Sequence, residues 1–365
     1  GVAGRAGAAC CMDDAESEVV LSFEQRARTD WANDAGADLD GFVDAWYDDR
    51  GRMEGSAFGT NLRQFLDGLS LGAGATVSIR VRRAGNLHHL YETVFRALGD
   101  AAVGYHRRLS YSDGSAIMGF DTARPDFSHV EGSEDHAGEM LFFWAADEKL
   151  TGMLLNIACP PQVGRKAISA DFWHPVRQGI MEKYGQNVHV FGQCGAAGDQ
   201  CPAVIVRRQA AKLMLQRKEI SRKQELANRV VRAVDDVWPY ARVDAQAEPV
   251  FAHRVIELEV PNKNSYNEAR WKPSTVAVEF HVLRLGDVAV ATNPFEVFLD
   301  YGIRIKGRSK AVLTFISQLT CDHHGYLPTR RAVAGGDYSA VNHNVGPRGG
   351  RVLVDETVSA INQMW

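Results

Sequence analysis

Apolar and polar positions beyond the first quarter of the chain follow the periods of strands and helices. Residues 139–144 and 150–158 predict two strands joined by the short turn at 145–148. Residues 171–184 predict a helix, and the apolar run at 187–191 predicts a buried strand after it. Strand, helix and strand in this order indicate a βαβ unit and therefore an α/β fold.

The C-terminal half of the chain continues with one long helix and several strands. Residues 207–237 predict a single helix, because their apolar side chains fall on one helical face. The alternation over 276–282 predicts a half-buried strand, which the turn at 286–287 connects to a second strand over 288–291. Residues 312–319 predict a further strand.

The first 85 residues have a different pattern, with short apolar runs and an acidic tract at 30–49. Weak helices are predicted over 19–28 and 62–69. Few residues here could bury a core, and no family motif is recognisable among them. We therefore interpret residues 1–85 as an unassigned segment that is poorly ordered or peripheral, and residues 86–365 as the folded domain.

Charge and hydrophobicity exclude two classes of partner. Charged residues make up 24% of the chain and the formal net charge is −4, so no basic field favours nucleic acid. No apolar run reaches the roughly 18 residues that indicate a transmembrane helix. The six cysteines form no CxxC pair, and most lie in or beside apolar segments. This favours free thiols and a reducing compartment such as the cytoplasm, with export left open.

A loop of small residues follows the apolar run at 187–191 and ends in Cys201 and Pro202. Small residues at the end of a buried strand let the backbone approach a ligand. Such strand ends are where α/β folds collect their sites. The side chains placed there for chemistry are Cys201 and, two residues earlier, Asp199. A tight structural turn with a buried free cysteine is the alternative interpretation.

Two further polar clusters follow predicted strands. Glu296 is a lone acid after the strand at 288–291, and Asp322, His323 and His324 follow the next predicted strand. A cysteine thiolate needs a base or a metal to be populated near neutral pH. Histidine and carboxylate side chains are usual zinc ligands. A structural or surface role is the alternative for the histidine pair, since adjacent strand residues face opposite ways.

Several segments resemble motifs of the neutral/alkaline ceramidase family, especially its bacterial hypothetical members. Residues 198–202, Gly-Asp-Gln-Cys-Pro, are similar to the family's Gly-Asp-Val-Ser-Pro nucleophile motif. Residues 295–306 resemble the segment that supplies its zinc-binding glutamate. Residues 324–329 and 335–338 resemble the motifs around its zinc-binding and substrate-facing tyrosines. The pair at 106–107, His-Arg, falls where the family has Asn-Arg.

The resemblance covers about residues 101–365 and includes clear departures. Cys201 stands in place of the family's serine, and Pro160 falls where the family has a zinc-binding histidine. His323 falls at or near the zinc-binding tyrosine. The family's His-Thr-His motif has no counterpart in residues 1–85, and the immunoglobulin-like C-terminal domain of some members is not expected here.

The resemblance implies an α/β catalytic domain of layered sheets flanked by helices. It also implies metal-assisted hydrolysis of an amide bond in ceramide or a related N-acyl, lipid-like substrate. Carried over residue by residue, it assigns the nucleophile to Cys201 and the orientation of its loop to Asp199. It assigns the stabilisation of developing charge to Arg107 and Tyr338.

The zinc site that the resemblance implies includes Glu296 and His323, with a third ligand such as His88 or His89. Loss of the zinc is the alternative, because two family histidines have no counterpart. Two other functions stay open. One is a non-catalytic relative that binds a small-molecule or lipid-like ligand through a degenerate metal site. The other is a metal-free hydrolase that pairs Cys201 with His323 or His324.

Overall fold

The computed structural model describes residues 103–365, except 165–167, 243–244 and 264–274, together with the backbone of four earlier strands. The chain divides into two compact units. The first unit comprises Gly1–Ala102 and Val231–Tyr240, and the second comprises Val103–Val230 and Ala241–Trp365. The predicted boundary at residue 85 stays a prediction, as does the poor order of the segment before it.

The first unit contains a four-stranded sheet. Its strands are Arg5–Met12 (β1), Ala15–Ser22 (β2), Arg28–Asn33 (β3) and Thr76–Arg83 (β4), in the order β1-β2-β4-β3. The helix predicted over 19–28 is wrong, because β2 is hydrogen-bonded to β1 on one side and to β4 on the other. Strand pairing overrides the weak local preference. The helix predicted over 62–69 lies outside the described residues.

The second unit carries the remaining strands. They are Tyr105–His106 (β5), Arg108–Tyr111 (β6), Ala116–Met118 (β7), Phe127–Val130 (β8), Gly138–Trp144 (β9), Leu150–Ile157 (β10), His189–Cys194 (β11), Gln200–Cys201 (β12), Phe251–Pro261 (β13), Thr275–Leu285 (β14), Val288–Asn293 (β15), Glu296–Val297 (β16), Leu313–Gln318 (β17) and Tyr326–Leu327 (β18). In the described residues they form sheets in the orders β11-β10-β9, β13-β14-β15-β17, β7-β6-β8, β12-β5 and β16-β18.

The helices flank these sheets, as the α/β interpretation requires. They are Trp173–Tyr184 (α1), Arg208–Arg217 (α2), Arg222–Val237 (α3, whose last residues belong to the first unit), Leu299–Arg308 (α4), Arg330–Gly335 (α5), Tyr338–Val341 (α6) and Gly346–Asn362 (α7). Among the residues that the structure describes, no helix has the length and apolar character to cross a membrane.

The βαβ unit is confirmed. β10, α1 and β11 follow one another, and β11 pairs with β10 in parallel, with Gly152 opposite His189. β9 lies on the other side of β10 and is antiparallel to it. The hairpin of β14 and β15 is also confirmed, and Gly286 takes a left-handed φ of 57° in its turn.

The single helix predicted over 207–237 is wrong, since the structure breaks it into α2 and α3. Glu219 has a left-handed φ of 52°, which interrupts the helical hydrogen bonding. Ser221 then begins the second helix by accepting a hydrogen bond from Gln224 N through its hydroxyl oxygen. The apolar face predicted for this helix is present in α3, where Leu226, Val230 and Val234 are buried.

The main core lies between the β13-β14-β15-β17 sheet and helices α4 and α7. Alternate residues of β14 enter it, and Val278, Phe280 and Val282 are buried. From α7, Leu353 and Ile361 fill the same core at helical spacing. This core holds β15 and β17 in place, and the candidate site begins at the ends of those strands.

A buried arginine ties β6 to the C-terminal helices. Arg108 is fully buried, and its Nε donates to the Glu131 carboxylate at 2.7 Å. Its Nη1 donates to Ser339 Oγ at 2.9 Å, and its Nη2 donates to the carbonyl oxygens of Ala332 and Gly336 at 3.1 Å. The guanidinium therefore holds the α5–α6 segment against β6 and the end of β8.

We predict that Arg108→Met lowers the free energy of unfolding by about 3–5 kcal/mol, because it leaves the Glu131 carboxylate buried without its cation. The double variant Arg108→Met/Glu131→Gln should recover part of that loss, since no unpaired charge remains. Urea unfolding monitored by circular dichroism measures both. Equal losses in the single and double variants would show that the ion pair does not carry the stability.

Candidate functional site

The loop between β11 and β12 is held by backbone hydrogen bonds on both sides. Gly195 N donates to the Ile157 carbonyl oxygen, and Gly198 N donates to that of Val297, both at 2.8 Å. A Cβ atom at position 198 would lie 2.4 Å from the Glu296 carbonyl oxygen, so only glycine fits there. The loop is thereby fixed against β16, the strand that carries Glu296.

The Gln318 amide, at the end of β17, reinforces this contact. Its Oε1 accepts hydrogen bonds from Ala197 N at 3.2 Å and from Val297 N at 3.1 Å. Its Nε2 donates to Cys194 Sγ at 3.4 Å. One side chain therefore joins the end of β11, the loop after it and β16.

Asp199 anchors the loop to the start of α4. Its buried carboxylate accepts a hydrogen bond from Leu299 N at 3.0 Å. Burial raises the pKa of Asp199 to about 6, against the lowering effect of the hydrogen bonds from Leu299 and Gln200. His106 Nδ1 lies 3.5 Å from the Asp199 carboxylate, but burial lowers the pKa of His106 to about 4. That imidazole is therefore neutral at pH 7, and the contact is not an ion pair.

Cys201 lies at the end of the loop, in β12, and its side chain is buried. Its Sγ donates to the Ala203 carbonyl oxygen at 3.3 Å. Burial raises the pKa of the Cys201 thiol to about 11, although the Ala203 contact and the charges of Arg107 and Arg222 oppose this. The sulfur is therefore a protonated thiol at neutral pH, and it needs a base before it can act as a nucleophile.

Arg107 is hydrogen-bonded to the loop that carries the thiol. Its backbone N donates to the Asp199 carbonyl oxygen at 2.9 Å, and its Nη2 donates to the Gly198 carbonyl oxygen at 3.4 Å. Its charge lowers the pKa values of both Cys201 and Tyr326. Arg107 Nε is buried and has no hydrogen-bond partner among the described residues. A buried N–H donor of this kind could bind an oxygen of a ligand.

Glu296 and Tyr326 are paired in the parallel ladder of β16 and β18. The pKa of Tyr326 is raised by burial, then by the charge of Glu296 and by Tyr338. The rings of Tyr326 and Tyr338 pack edge to face with centroids 5.8 Å apart. Tyr338 is exposed, and its hydroxyl contacts Met118 Sδ at 2.8 Å. A carboxylate and two phenols therefore lie together beside the loop that carries the thiol.

His323 lies in an exposed turn before β18. Its backbone N donates to the Asp322 carboxylate at 2.7 Å, and the same carboxylate lies 3.4 Å from His324 Nε2. The residue that the structure pairs with Glu296 is Tyr326, three positions after His323. The assignment of His323 as a metal ligand stays a prediction.

Glu134 is a further titratable group near the thiol. Burial raises its pKa from 4.5 to about 7, and its charge raises the pKa of Cys201. His136 Nε2 lies 3.9 Å from the Glu134 carboxylate. A carboxylic acid that titrates near neutral pH is suited to accept and return a proton.

The described residues supply only part of the zinc site that the resemblance implies. A zinc site takes three or four nitrogen, sulfur or oxygen ligands. In the part of the chain that the structure describes, the group of three His, Cys, Asp or Glu ligands that could hold a metal includes neither Glu296 nor His323. The residues around Glu296 therefore do not fit zinc by themselves. His88 and His89, the further candidates, lie outside the described residues.

Reasoning from the sequence missed Tyr326, Glu134 and Gln318. Tyr326 lies inside the 324–329 segment of the resemblance, so the motif itself was the available signal. Glu134 and Gln318 carry no local signal, because their environments are created by chain segments distant in the sequence.

A family model described as imidazoleglycerol-phosphate dehydratase matches residues 2–102. The match covers less than half of the chain, so it does not assign the chain to that family. It does overturn the expectation that residues 1–85 contain no recognisable family motif. A search of curated proteins gives no match.

Two of the solved structures that resemble the chain are ceramidases. The neutral ceramidase from Pseudomonas aeruginosa has a TM-score of 0.49 and 10% identity, over 99% of this chain and 74% of that one. A ceramidase complexed with C2 has a TM-score of 0.51 and 10% identity, over 99% of this chain and 75% of that one. The second likeness supports a ceramidase-like fold, which agrees with the layered sheets and flanking helices.

We predict that Gln318→Leu lowers the free energy of unfolding by about 2–4 kcal/mol, because the N–H groups of Ala197 and Val297 lose their acceptor. Gln318→Glu should cost less, since a carboxylate still accepts both bonds. Chemical denaturation measures both variants, with the exposed Gln363→Leu as the control. A loss in Gln318→Glu as large as in Gln318→Leu would contradict the role of the acceptor oxygen.

Proposed function

We propose that the chain hydrolyses an amide bond of an N-acyl, lipid-like substrate such as ceramide, at the site around Cys201. One observation carries the proposal: the loop that ends in Cys201 is hydrogen-bonded both to Arg107 and to β16, the strand on which Glu296 is paired with Tyr326. A nucleophile precursor, a cation, a carboxylate and phenol hydroxyl groups therefore converge. Such groups are needed to cleave an acyl bond.

In the proposed reaction, the Cys201 sulfur attacks the carbonyl carbon of the amide and the thiol proton passes to Glu134. Arg107 and Tyr338 stabilise the negative charge that develops on the carbonyl oxygen. The amine leaves with the proton returned by Glu134, and a thioester remains on Cys201. Water then attacks the thioester, which releases the fatty acid and restores the thiol.

The described residues around Glu296 do not supply enough ligands for zinc. The proposed reaction can therefore include zinc only if a further ligand comes from outside the described residues. When bound, zinc would polarise the carbonyl and increase the acidity of a thiol or water.

The nucleophile is tested with a fluorescent short-chain ceramide and the full chain. Cys201→Ala should abolish turnover, because it removes the attacking atom. Cys201→Ser should retain part of it, since a hydroxyl can replace the thiol. The control is Cys159→Ala, which removes a second buried free thiol, one that lies outside the loop at 193–202. Chromatography of the released fatty acid measures all three variants.

Full turnover in Cys201→Ala would contradict the assignment of the nucleophile. A wild-type chain that binds the ceramide saturably without releasing fatty acid would instead favour the second candidate, a non-catalytic binding protein. That candidate is favoured by one observation: the Cys201 side chain is buried, and burial holds its pKa near 11.

The role of Glu134 gives a pH prediction. Its folded-state pKa is raised, so between about pH 4.5 and 7 the unfolded chain has released a proton that the folded chain keeps. This group therefore lowers stability as pH rises through that window. Glu134→Gln should gain about 1–2 kcal/mol relative to wild type from pH 4.5 to 7.5, a value reduced for partial exposure.

Thermal and urea unfolding at several pH values measure that difference. Turnover by the wild type should rise as Glu134 ionises near pH 7, and Glu134→Gln should lose turnover at every pH. If the stability of Glu134→Gln has the same pH dependence as that of the wild type between pH 4.5 and 7.5, the pKa of Glu134 is not raised. If Glu134→Gln is fully active, Glu134 is not the base.

A further inference from the structure

Glu279, His281 and Cys321 form a cluster that shares no residue with the site around Cys201. Their ligand atoms all lie within 4.8 Å of one another. We propose that these three side chains bind a zinc ion on the outer face of the β13–β14 pair. An oxygen, a nitrogen and a sulfur ligand together form a set that zinc accepts.

The alternation of β14 places two of the ligands. Val278, Phe280 and Val282 are buried in the main core. Glu279 and His281 lie between them in the sequence and therefore face the opposite side of the sheet. Their spacing of two residues puts both side chains on the same face, and His281 Nε2 lies 3.1 Å from Glu279 Oε1.

The third ligand comes from the turn after β17. Thr320 N donates to the Asn293 carbonyl oxygen at 3.1 Å, which attaches this turn to the end of β15, next to β14. Cys321 follows with a left-handed φ of 76°, a conformation that residues other than glycine rarely adopt. In this conformation the exposed, free thiol of Cys321 lies beside His281 and Glu279.

A second histidine supports His281 as a metal ligand. His253, on β13, has its Nε2 2.8 Å from His281 Nδ1, and the two rings stack with centroids 5.0 Å apart. With its proton on Nδ1, His281 donates to His253 and leaves Nε2 free to coordinate. Metal-binding histidines almost always donate their other ring N–H to a carboxylate, a backbone carbonyl or water, which fixes the tautomer and the ring orientation. Here the His253 nitrogen would be that acceptor.

The dimensions of the cluster suit zinc. Tetrahedral ligands at zinc distances lie roughly 3.3–3.8 Å from one another, so ligand atoms already within 4.8 Å need only small side-chain rotations. Because Glu279 and Cys321 are exposed, water can occupy the fourth position. The bound ion would attach the turn that precedes β18 to the face of β14.

The test is a titration of the metal-free full chain with Co²⁺ under reducing conditions. Cobalt in a zinc site with a cysteine ligand gives an intense thiolate-to-metal charge-transfer band, and zinc should displace it stoichiometrically. Cys321→Gly should lose that band and at least tenfold in zinc affinity. Because a left-handed φ favours glycine, this variant should melt no lower than the metal-free wild type.

Three further variants complete the experiment. His253→Phe should keep the thiolate band and lose about 10–100-fold in affinity, as expected for a partner of a ligand. Glu356→Gln, an exposed change on α7, which packs on the core side of the sheet, should bind as wild type, and so should Glu296→Gln. A band that persists in Cys321→Gly, or a wild-type chain that gives no such band, would overturn the proposal.

Discussion

A single side-chain amide joins the parts of the molecule from which the candidate site is built. Gln318 extends from the end of β17, accepts hydrogen bonds from Ala197 and Val297, and donates one to Cys194. Two neighbouring backbone segments present N–H groups to the same oxygen, so neither segment can move without leaving a buried donor unsatisfied. The position of the loop relative to β16 therefore depends on the core that fixes β17, and Ala196 and Val297 are themselves part of that core.

The elements that could be predicted from the sequence are those whose pattern depends on local burial. The strands at 139–144 and 276–282 and the βαβ connection follow from alternation and helical period, and the structure confirms them. The failures have tertiary or single-residue causes. β2 is a strand because it has partners on both sides, and the helix at 207–237 is interrupted by the left-handed backbone of Glu219.

The candidate site could be predicted only where a side chain lies in a motif. Cys201, Glu296 and Tyr338 lie in such segments. Backbone hydrogen bonds join the Cys201 loop to the strand of Glu296, and ring packing against Tyr326 places Tyr338 beside them. Glu134 could not be found in this way, because its raised pKa arises from burial that only the folded chain creates. The two resemblances overlap along the chain: residues 2–102 match a dehydratase family model, while the ceramidase likeness extends over 99% of the chain.

The close contact between Gly198 and Glu296 determines which positions of this loop tolerate substitution. Exchanging cysteine and serine at position 201 replaces one atom and leaves the backbone in place. Any side chain at position 198 would meet the Glu296 carbonyl oxygen at 2.4 Å and would force the loop away from β16. In evolutionary terms, the side chain at position 201 is the variable part of the loop and the glycine at position 198 is the constrained part. A lineage could therefore replace the side chain at position 201 while the backbone framework around it stayed the same.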